Sequence, residues 1–223
     1  MQSANQRIAF CAALVALALA GCQPVPADSA ARGEVLFSRC AFCHMADGAG
    51  NPELKAPAIA GMEAWYVEEQ VNDFRNGARG AHPEDLPGMR MRPIAMTLRS
   101  EKDVTDVSTF VASMTPVKPA ATLHGGDAQA GAAKYGICVQ CHGPDGKGYA
   151  GTQNTMGQVK QVPGLAGQSD WYLQTQIQNF KSKVRGTNAA PGSDKFMMAT
   201  VWVNTMASEQ DVLDVLAHIQ TLD

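Results

Sequence analysis

The sequence predicts an all-α protein built from two similar domains in tandem. The second half of the chain repeats the motifs of the first half, and apolar residues recur at helical spacing in corresponding segments of both halves. A chain of 223 residues suits one large domain or two small ones. We place a first domain at residues 31–115 and a second domain at 127–223, joined by a linker at 116–126.

The repeat begins at two C-x-x-C-H motifs, Cys40–His44 and Cys138–His142, which lie 98 residues apart. Further along, Pro57 and Pro163 open matching Pro-x-Ile/Leu-Ala-Gly segments at an offset of 106 residues. The second domain therefore carries eight additional residues within 143–162. That segment is rich in Gly, Gln and Thr, which predicts a loop.

Each domain is expected to contain a helix ending in the C-x-x-C-H motif, a middle helix, a polar loop with methionines and a closing helix. The predicted helices are 31–43 and 128–141, those starting near Trp65 and Trp171, and 101–114 and 209–222. Ser100 and Ser208 are predicted N-caps of the closing helices, because each precedes an aspartate by three residues. An Arg-Gly pair after each middle helix, at 79–80 and 185–186, extends the match.

The C-x-x-C-H motif is the attachment pattern of c-type haem. Two thiols three residues apart on a helix can reach the two vinyl groups of one porphyrin, and the following histidine then lies under the iron. A four-cysteine zinc site and a thioredoxin-like redox pair are the alternatives, but neither explains a histidine in both motifs. We therefore predict two haem c groups, with iron ligands His44 and His142. The predicted thioether residues are Cys40, Cys43, Cys138 and Cys141.

The N-terminal segment predicts export. Arg7 precedes an apolar run at residues 8–20, which is shorter than the ~20 residues of a membrane-spanning helix. The run is typical of a signal peptide. It ends in Leu-Ala-Gly-Cys22, which resembles a bacterial lipobox, so we predict a signal peptide at 1–21, a lipid on Cys22 and a tether at 22–30. An ordinary cleavage site or an uncleaved anchor is the alternative.

Composition narrows the choice of function. The net charge is −3 and no basic stripe is present, so nucleic-acid binding is not expected. Domains of about 90 residues have small cores. A covalently bound haem would supply apolar filling to each of them.

Together these motifs resemble the tandem dihaem class I cytochromes c of the c-four type, here as a lipoprotein variant, over residues 31–223. The resemblance implies two cytochrome c domains, each of a few helices around one covalent haem. It also implies that the carbonyls of Pro57 and Pro163 accept a hydrogen bond from the histidine ring. The aromatic pairs Trp65, Tyr66, Trp171 and Tyr172 are candidates for the haem environment, with simple core packing as the alternative.

The resemblance also implies a methionine as the sixth iron ligand in each domain. In the first domain the family pattern selects Met91, with Met89 as runner-up and Met96 as a core residue. In the second domain, counting from the middle helix gives Met197 and counting back from the closing helix gives Met198. We prefer Met198 because the shorter count supports it.

One departure from the family pattern lies in the closing helices. Phe110 supplies the aromatic residue expected to face the first helix, whereas His218 occupies that position in the second domain. His218 is expected to pack between helices, with iron binding as the alternative. His82 and His124 lie in predicted loops and are expected to be solvated.

A haem held by histidine and methionine is six-coordinate and leaves no open site for substrate. We therefore expect an electron carrier, not an enzyme, that moves single electrons between donor and acceptor redox proteins in membrane complexes. The expected location is the periplasmic side of a bacterial membrane, with the soluble periplasm as the alternative. The rival functions are a haem subunit of a dehydrogenase complex, a dihaem peroxidase, and a structural or sensory haem protein.

Overall fold

The structure is a computed structural model, and it describes residues 29–154, 156–186 and 188–222. The predicted signal peptide at 1–21, the lipidation site Cys22 and most of the tether at 22–30 lie outside these residues. Among the helices that are described, none is both long and apolar enough to cross a membrane.

Both domains are mainly helical, as predicted. The first domain contains α1 (Ser29–His44), α2 (Ala64–Asn76), α3 (Leu86–Ala95) and α4 (Glu101–Ser113). The second domain contains α5 (Ala128–Tyr135), α6 (Val139–His142), β1 (Tyr149–Gln153), β2 (Val159–Val162), α7 (Asp170–Lys181), α8 (Asp194–Thr200), a 3₁₀ turn (Trp202–Thr205) and α9 (Glu209–Ile219).

In each domain the first and closing helices cross at a glycine. A Cβ atom on Gly33 would overlap the carbonyl oxygen of Asp106, and one on Gly131 would overlap that of Asp214. The absence of a side chain at these two positions therefore lets α1 lie against α4 and α5 against α9.

Aromatic side chains complete both helix crossings. The Phe37 and Phe110 rings lie 5.3 Å apart, and the Tyr135 and His218 rings lie 5.2 Å apart. His218 thus packs between helices as predicted. His82 and His124 are exposed outside regular structure, also as predicted.

The closing helices begin with the predicted capping boxes. The Ser100 hydroxyl accepts from the Asp103 N–H at 3.1 Å, and the Ser208 hydroxyl accepts from the Asp211 N–H at 3.1 Å. In both boxes the aspartate accepts a hydrogen bond from the backbone N–H of its serine.

Four segments differ from the sequence prediction. The first helix of the second domain is interrupted after Tyr135, where Gly136, a poor helix former, follows. The loops expected to carry the methionines contain α3 and α8. Asp85 caps α3 by accepting from the Gly88 N–H at 3.0 Å, and Ser193 caps α8 by accepting from the Phe196 N–H at 3.2 Å.

The segment 143–162, which was predicted to be a loop, contains a β-hairpin in which β1 pairs with β2 in antiparallel orientation. Asn154 holds its turn, because the Asn154 side-chain oxygen accepts from the N–H groups of Met156 and Gln158 at 3.0 and 2.9 Å. The Asn154 amide donates to the Gln140 carbonyl at 3.0 Å, which ties the hairpin to the second C-x-x-C-H motif.

Acid should destabilise both domains through one aspartate on each closing helix. Burial opposes ionisation of Asp106, but hydrogen bonds from Lys102 and Arg32 outweigh it and lower its pKa to about 2. Hydrogen bonds from the Asp127 N–H and from Lys134 lower the pKa of Asp214 to about 2. A carboxyl whose pKa is lowered by folding stabilises the protein above its unfolded pKa, and that stability is lost as pH falls through the folded pKa.

We therefore expect the free energy of unfolding to fall as pH drops from about 4 to about 2. Asp106→Asn and Asp214→Asn should reduce that dependence and destabilise the protein at pH 7, in the case of Asp106→Asn by roughly 1–3 kcal/mol, the range for a lost charged hydrogen bond. Denaturant titrations followed by circular dichroism at several pH values measure both effects. An unchanged pH dependence in the two variants would contradict the assignment.

Candidate functional site

The two motif histidines are oriented by the prolines that sequence analysis paired with them. His44 Nδ1 lies 2.8 Å from the Pro57 carbonyl oxygen, and His142 Nδ1 lies 2.9 Å from that of Pro163. A carbonyl only accepts, so Nδ1 carries the proton and Nε2 keeps a lone pair. Burial lowers the pKa of both histidines, which favours the neutral imidazole that metals bind.

The cysteines of both motifs are present as partly buried thiols. Cys40 and Cys43 lie on the last turns of α1 beside His44. Cys138 immediately precedes α6, and Cys141 lies within α6 beside His142. Burial raises the pKa of the Cys40 and Cys138 thiols to about 11 each. Neutral thiols at this spacing suit attachment to a porphyrin as thioethers.

The second motif opens into a cavity of about 550 Å³. Its wall includes Cys138, Cys141, His142, Pro163 and Met198. The cavity brings the predicted attachment residues, the oriented histidine and one of the two candidate methionines together around one space. Met197 is not part of this wall.

In the first domain Met91 packs against the hydrophobic core, in a group that also includes Cys40 and Ile59. Met89 is 46% exposed. Met96 is 54% exposed, so the prediction that Met96 packs in the core is wrong. Met96 follows the last residue of α3, and the end of this short helix places its side chain towards solvent.

Of the predicted aromatic pairs, some residues line the candidate haem site and one packs in the core. Trp65, Tyr66 and Tyr172 line the cavity of the second domain, so part of its wall comes from α2 of the first domain. Trp171 is buried outside that wall, and the Lys55 ammonium lies 5.4 Å from its ring centre. The Trp65 indole nitrogen is buried with no hydrogen-bond partner among the described atoms.

Two arginines that sequence analysis used only to align the repeats meet between the domains. Arg79 donates to the side-chain oxygens of Gln70 at 2.7 Å and Gln176 at 3.1 Å. Arg185 donates to the same two oxygens, at 2.8 Å each. Each guanidinium therefore donates to one glutamine in each domain. The hydrogen bonds of the two arginines cross the interface symmetrically.

Both arginines are buried, and neither has an ion-pair partner among the described residues. Each is 7% exposed, and its guanidinium lies over a phenylalanine ring, Phe74 for Arg79 and Phe180 for Arg185. Within the described part of the chain, no carboxylate forms an ion pair with either one. The Nε atom of each arginine has no partner there.

Burying unpaired charges is costly, so this arrangement calls for an anionic group. Haem carries two propionates, and the arginines with the Trp65 N–H are donors of the kind that would hold them. The repeated Arg-Gly pair marks both arginines in the sequence, but the sequence alone does not show that the two side chains lie together.

Comparison with known proteins decides the family. The cytochrome c family model matches residues 30–115 and 128–223, one match for each domain. The chain belongs to the cytochrome c family. Because each domain match contains one C-x-x-C-H motif, this cytochrome holds two covalently bound haem c groups, and the zinc and thioredoxin-like alternatives are set aside.

Individual relatives agree with this assignment. Cytochrome c4 of Pseudomonas aeruginosa is 27% identical over 219 residues, covering 94% of this chain and 96% of that protein. The thiosulfate dehydrogenase electron acceptor of Stutzerimonas stutzeri is 32% identical over 156 residues, or 66% of this chain. The match spans 64% of that acceptor's length.

Among solved structures, thiosulfate dehydrogenase from Marichromatium purpuratum matches with a TM-score of 0.67 and 29% identity. The match covers 86% of this chain and 40% of that one. The two family matches and the cytochrome c4 relative thus make this chain a dihaem cytochrome c that transfers electrons.

Proposed function

We propose that this cytochrome is a lipid-anchored electron carrier on the periplasmic side of a bacterial membrane. It would take single electrons from a dehydrogenase or a quinol-oxidising complex and deliver them to a terminal oxidase or reductase. Similarity to a thiosulfate dehydrogenase electron acceptor supports a donor of the dehydrogenase class.

The cavity of the second domain is the observation that carries this proposal. A neutral His142 with a free Nε2 and the thioether of Met198 both line it, and together they would supply the two protein ligands of a haem iron. We assign His44 and Met91 the same roles in the first domain. Haem iron supplies reversible one-electron redox chemistry when bound.

The protein residues have three tasks in this function. The Pro57 and Pro163 carbonyls fix the histidine rings, since each ring donates its only N–H to them. The methionines would supply the second protein ligand of each iron and so exclude small ligands from it. The paired Arg79 and Arg185 bring positive charge to the boundary between the two domains, where it would favour the reduced state of both haems when they are bound.

A second candidate is a dedicated haem subunit of a dehydrogenase complex. The match to the Marichromatium purpuratum thiosulfate dehydrogenase, of which this chain covers 40%, favours it specifically. Purification of the native protein with its membrane partners separates the two candidates. A stable stoichiometric complex with a dehydrogenase supports the subunit, whereas recovery alone with rapid electron exchange supports the carrier.

The lipid anchor makes a separate prediction. Cys22→Ser should release the protein into the soluble periplasm or block its processing, because the acylated residue is lost. Membrane fractionation with an immunoblot measures the distribution. Cys11→Ser is the matched control, since Cys11 lies within the predicted signal peptide. Unchanged membrane association of the Cys22→Ser variant would reject the anchor and leave the haem assignment intact.

A further inference from the structure

A lysine of the second domain ties that domain's methionine-bearing helix to the first domain. Lys195 Nζ lies 2.7 Å from Asp73 Oδ2 and 3.0 Å from Glu69 Oε1. Both carboxylates are on α2, one helical turn apart, and Lys195 is in the first turn of α8, three residues before Met198. One side chain therefore joins the middle helix of one domain to the methionine segment of the other.

This ion pair lies where solvent screens it only in part. The Lys195 side chain is 26% exposed and that of Asp73 is 15% exposed. Partly buried pairs are screened less by salt than exposed ones. Glu69, Lys195 and Met198 all line the cavity of the second domain, so the ion pair belongs to the same wall as the methionine.

The helix α8 depends on such contacts for its position. It has seven residues, and isolated helices shorter than about 12 residues are marginal in water. The described residues between α7 and α8 form no helix or strand. Arg185, in this connection, reaches Gln70 and the Tyr66 hydroxyl of the first domain. Both the connection and the helix are thus held from across the interface.

The first domain holds its own methionine helix differently. Asp85 caps α3 from within the domain, and the Gly88 carbonyl packs closely on Gly80. Among the residues that the structure describes, no ion pair joins α3 to the second domain. Arg79 does tie the connection before α3 to Gln176 of the second domain, so the one-sided feature is the ion pair from the methionine helix itself.

We propose that Lys195 is a positioning residue that makes methionine coordination at the second haem depend on contact between the two domains. The proposal rests on the assignment of Met198 under the proposed function. Loss of the ion pair would let α8 move away from α2, and Met198 with it. The first haem would keep its methionine under the same conditions.

The test follows the weak near-infrared band of sulfur-ligated ferric haem in the full-length dihaem protein. In a Met91→Ala background this band reports only the second haem. Adding Lys195→Met or Asp73→Asn should raise the methionine-dissociated fraction about fivefold, the upper end of what one surface ion pair contributes. In a Met198→Ala background, Lys195→Met should leave the remaining band of the first haem unchanged.

Two controls separate positioning from general loss of stability. Lys195→Arg keeps the charge and should retain the band. Lys134→Met breaks an ion pair of the same kind inside the second domain, where Lys134 meets Asp211 at 2.7 Å and Asp214 at 2.6 Å. It should lower stability without affecting the band.

Equal bands in Lys195→Met, Asp73→Asn and their parent would overturn the proposal, and so would an equal loss in Lys134→Met. If the unmodified protein lacks the sulfur band although both haems are bound, the methionine assignment fails first and this proposal fails with it. A normal haem content in that case would leave the two-haem cytochrome assignment standing.

Discussion

Replacing Met198 by alanine should open the second haem and lower its reduction potential by on the order of 100 mV, since axial ligands and their surroundings set haem potentials over a span of about 0.8 V. A thioether is neutral and soft, so it favours ferrous iron, and its removal favours the ferric state. The variant should also bind carbon monoxide at one haem. Spectroelectrochemical titration and a carbon monoxide difference spectrum measure these changes.

Two further variants make this test specific. Met91→Ala should have the same effect at the first haem only. Met197→Ala is the matched control, because Met197 is the neighbour of Met198 in α8 but does not line the cavity. An effect of Met197→Ala together with a silent Met198→Ala would reverse the assignment in the second domain.

Removing a buried arginine should lower the potentials of both haems. Arg79 and Arg185 each bond to a glutamine of both domains, so neither charge belongs to one site alone. Arg79→Met or Arg185→Met removes a positive charge that stabilises the reduced state. We expect a decrease on the order of 50 mV, which corresponds to about 1 kcal/mol for one electron.

The same variants should weaken the domain interface, since Gln70 and Gln176 lose charged donors. Arg75→Met is the matched control on α2, because Arg75 pairs with the exposed Glu101 at 2.8 Å. Redox titration and denaturant unfolding measure the two effects. Potentials of Arg79→Met and Arg185→Met equal to those of Arg75→Met would contradict an electrostatic role for the pair.

The fold and the attachment residues could be predicted because their signals are local. The C-x-x-C-H spacing is dictated by porphyrin geometry, and the capping boxes at Ser100 and Ser208 depend on residues three positions apart. Because the sequence repeats, each prediction for one domain also applies to the corresponding residues of the other. The hydrogen bonds of His44 and His142 to the paired prolines followed from the family pattern.

The parts that were missed depend on contacts between distant segments or on weak local signals. Arg79 and Arg185 are separated by more than a hundred residues, and their meeting is a property of the domain interface. A Gly- and Gln-rich composition is typical of a loop and gives no sign of the hairpin. The hairpin depends on Asn154, whose side chain holds the turn and bonds to Gln140. The helices α3 and α8 are short, and their N-caps, Asp85 and Ser193, were not used in the sequence prediction.

The axial ligation of the unmodified protein tests the central claim most directly. A purified sample with two c-type haems per chain, measured by pyridine haemochrome, should be low-spin at both haems. Its ferric form should show the near-infrared sulfur band, and its ferrous form should bind carbon monoxide poorly. A high-spin haem that binds carbon monoxide and turns over peroxide would contradict the carrier assignment and indicate a dihaem peroxidase.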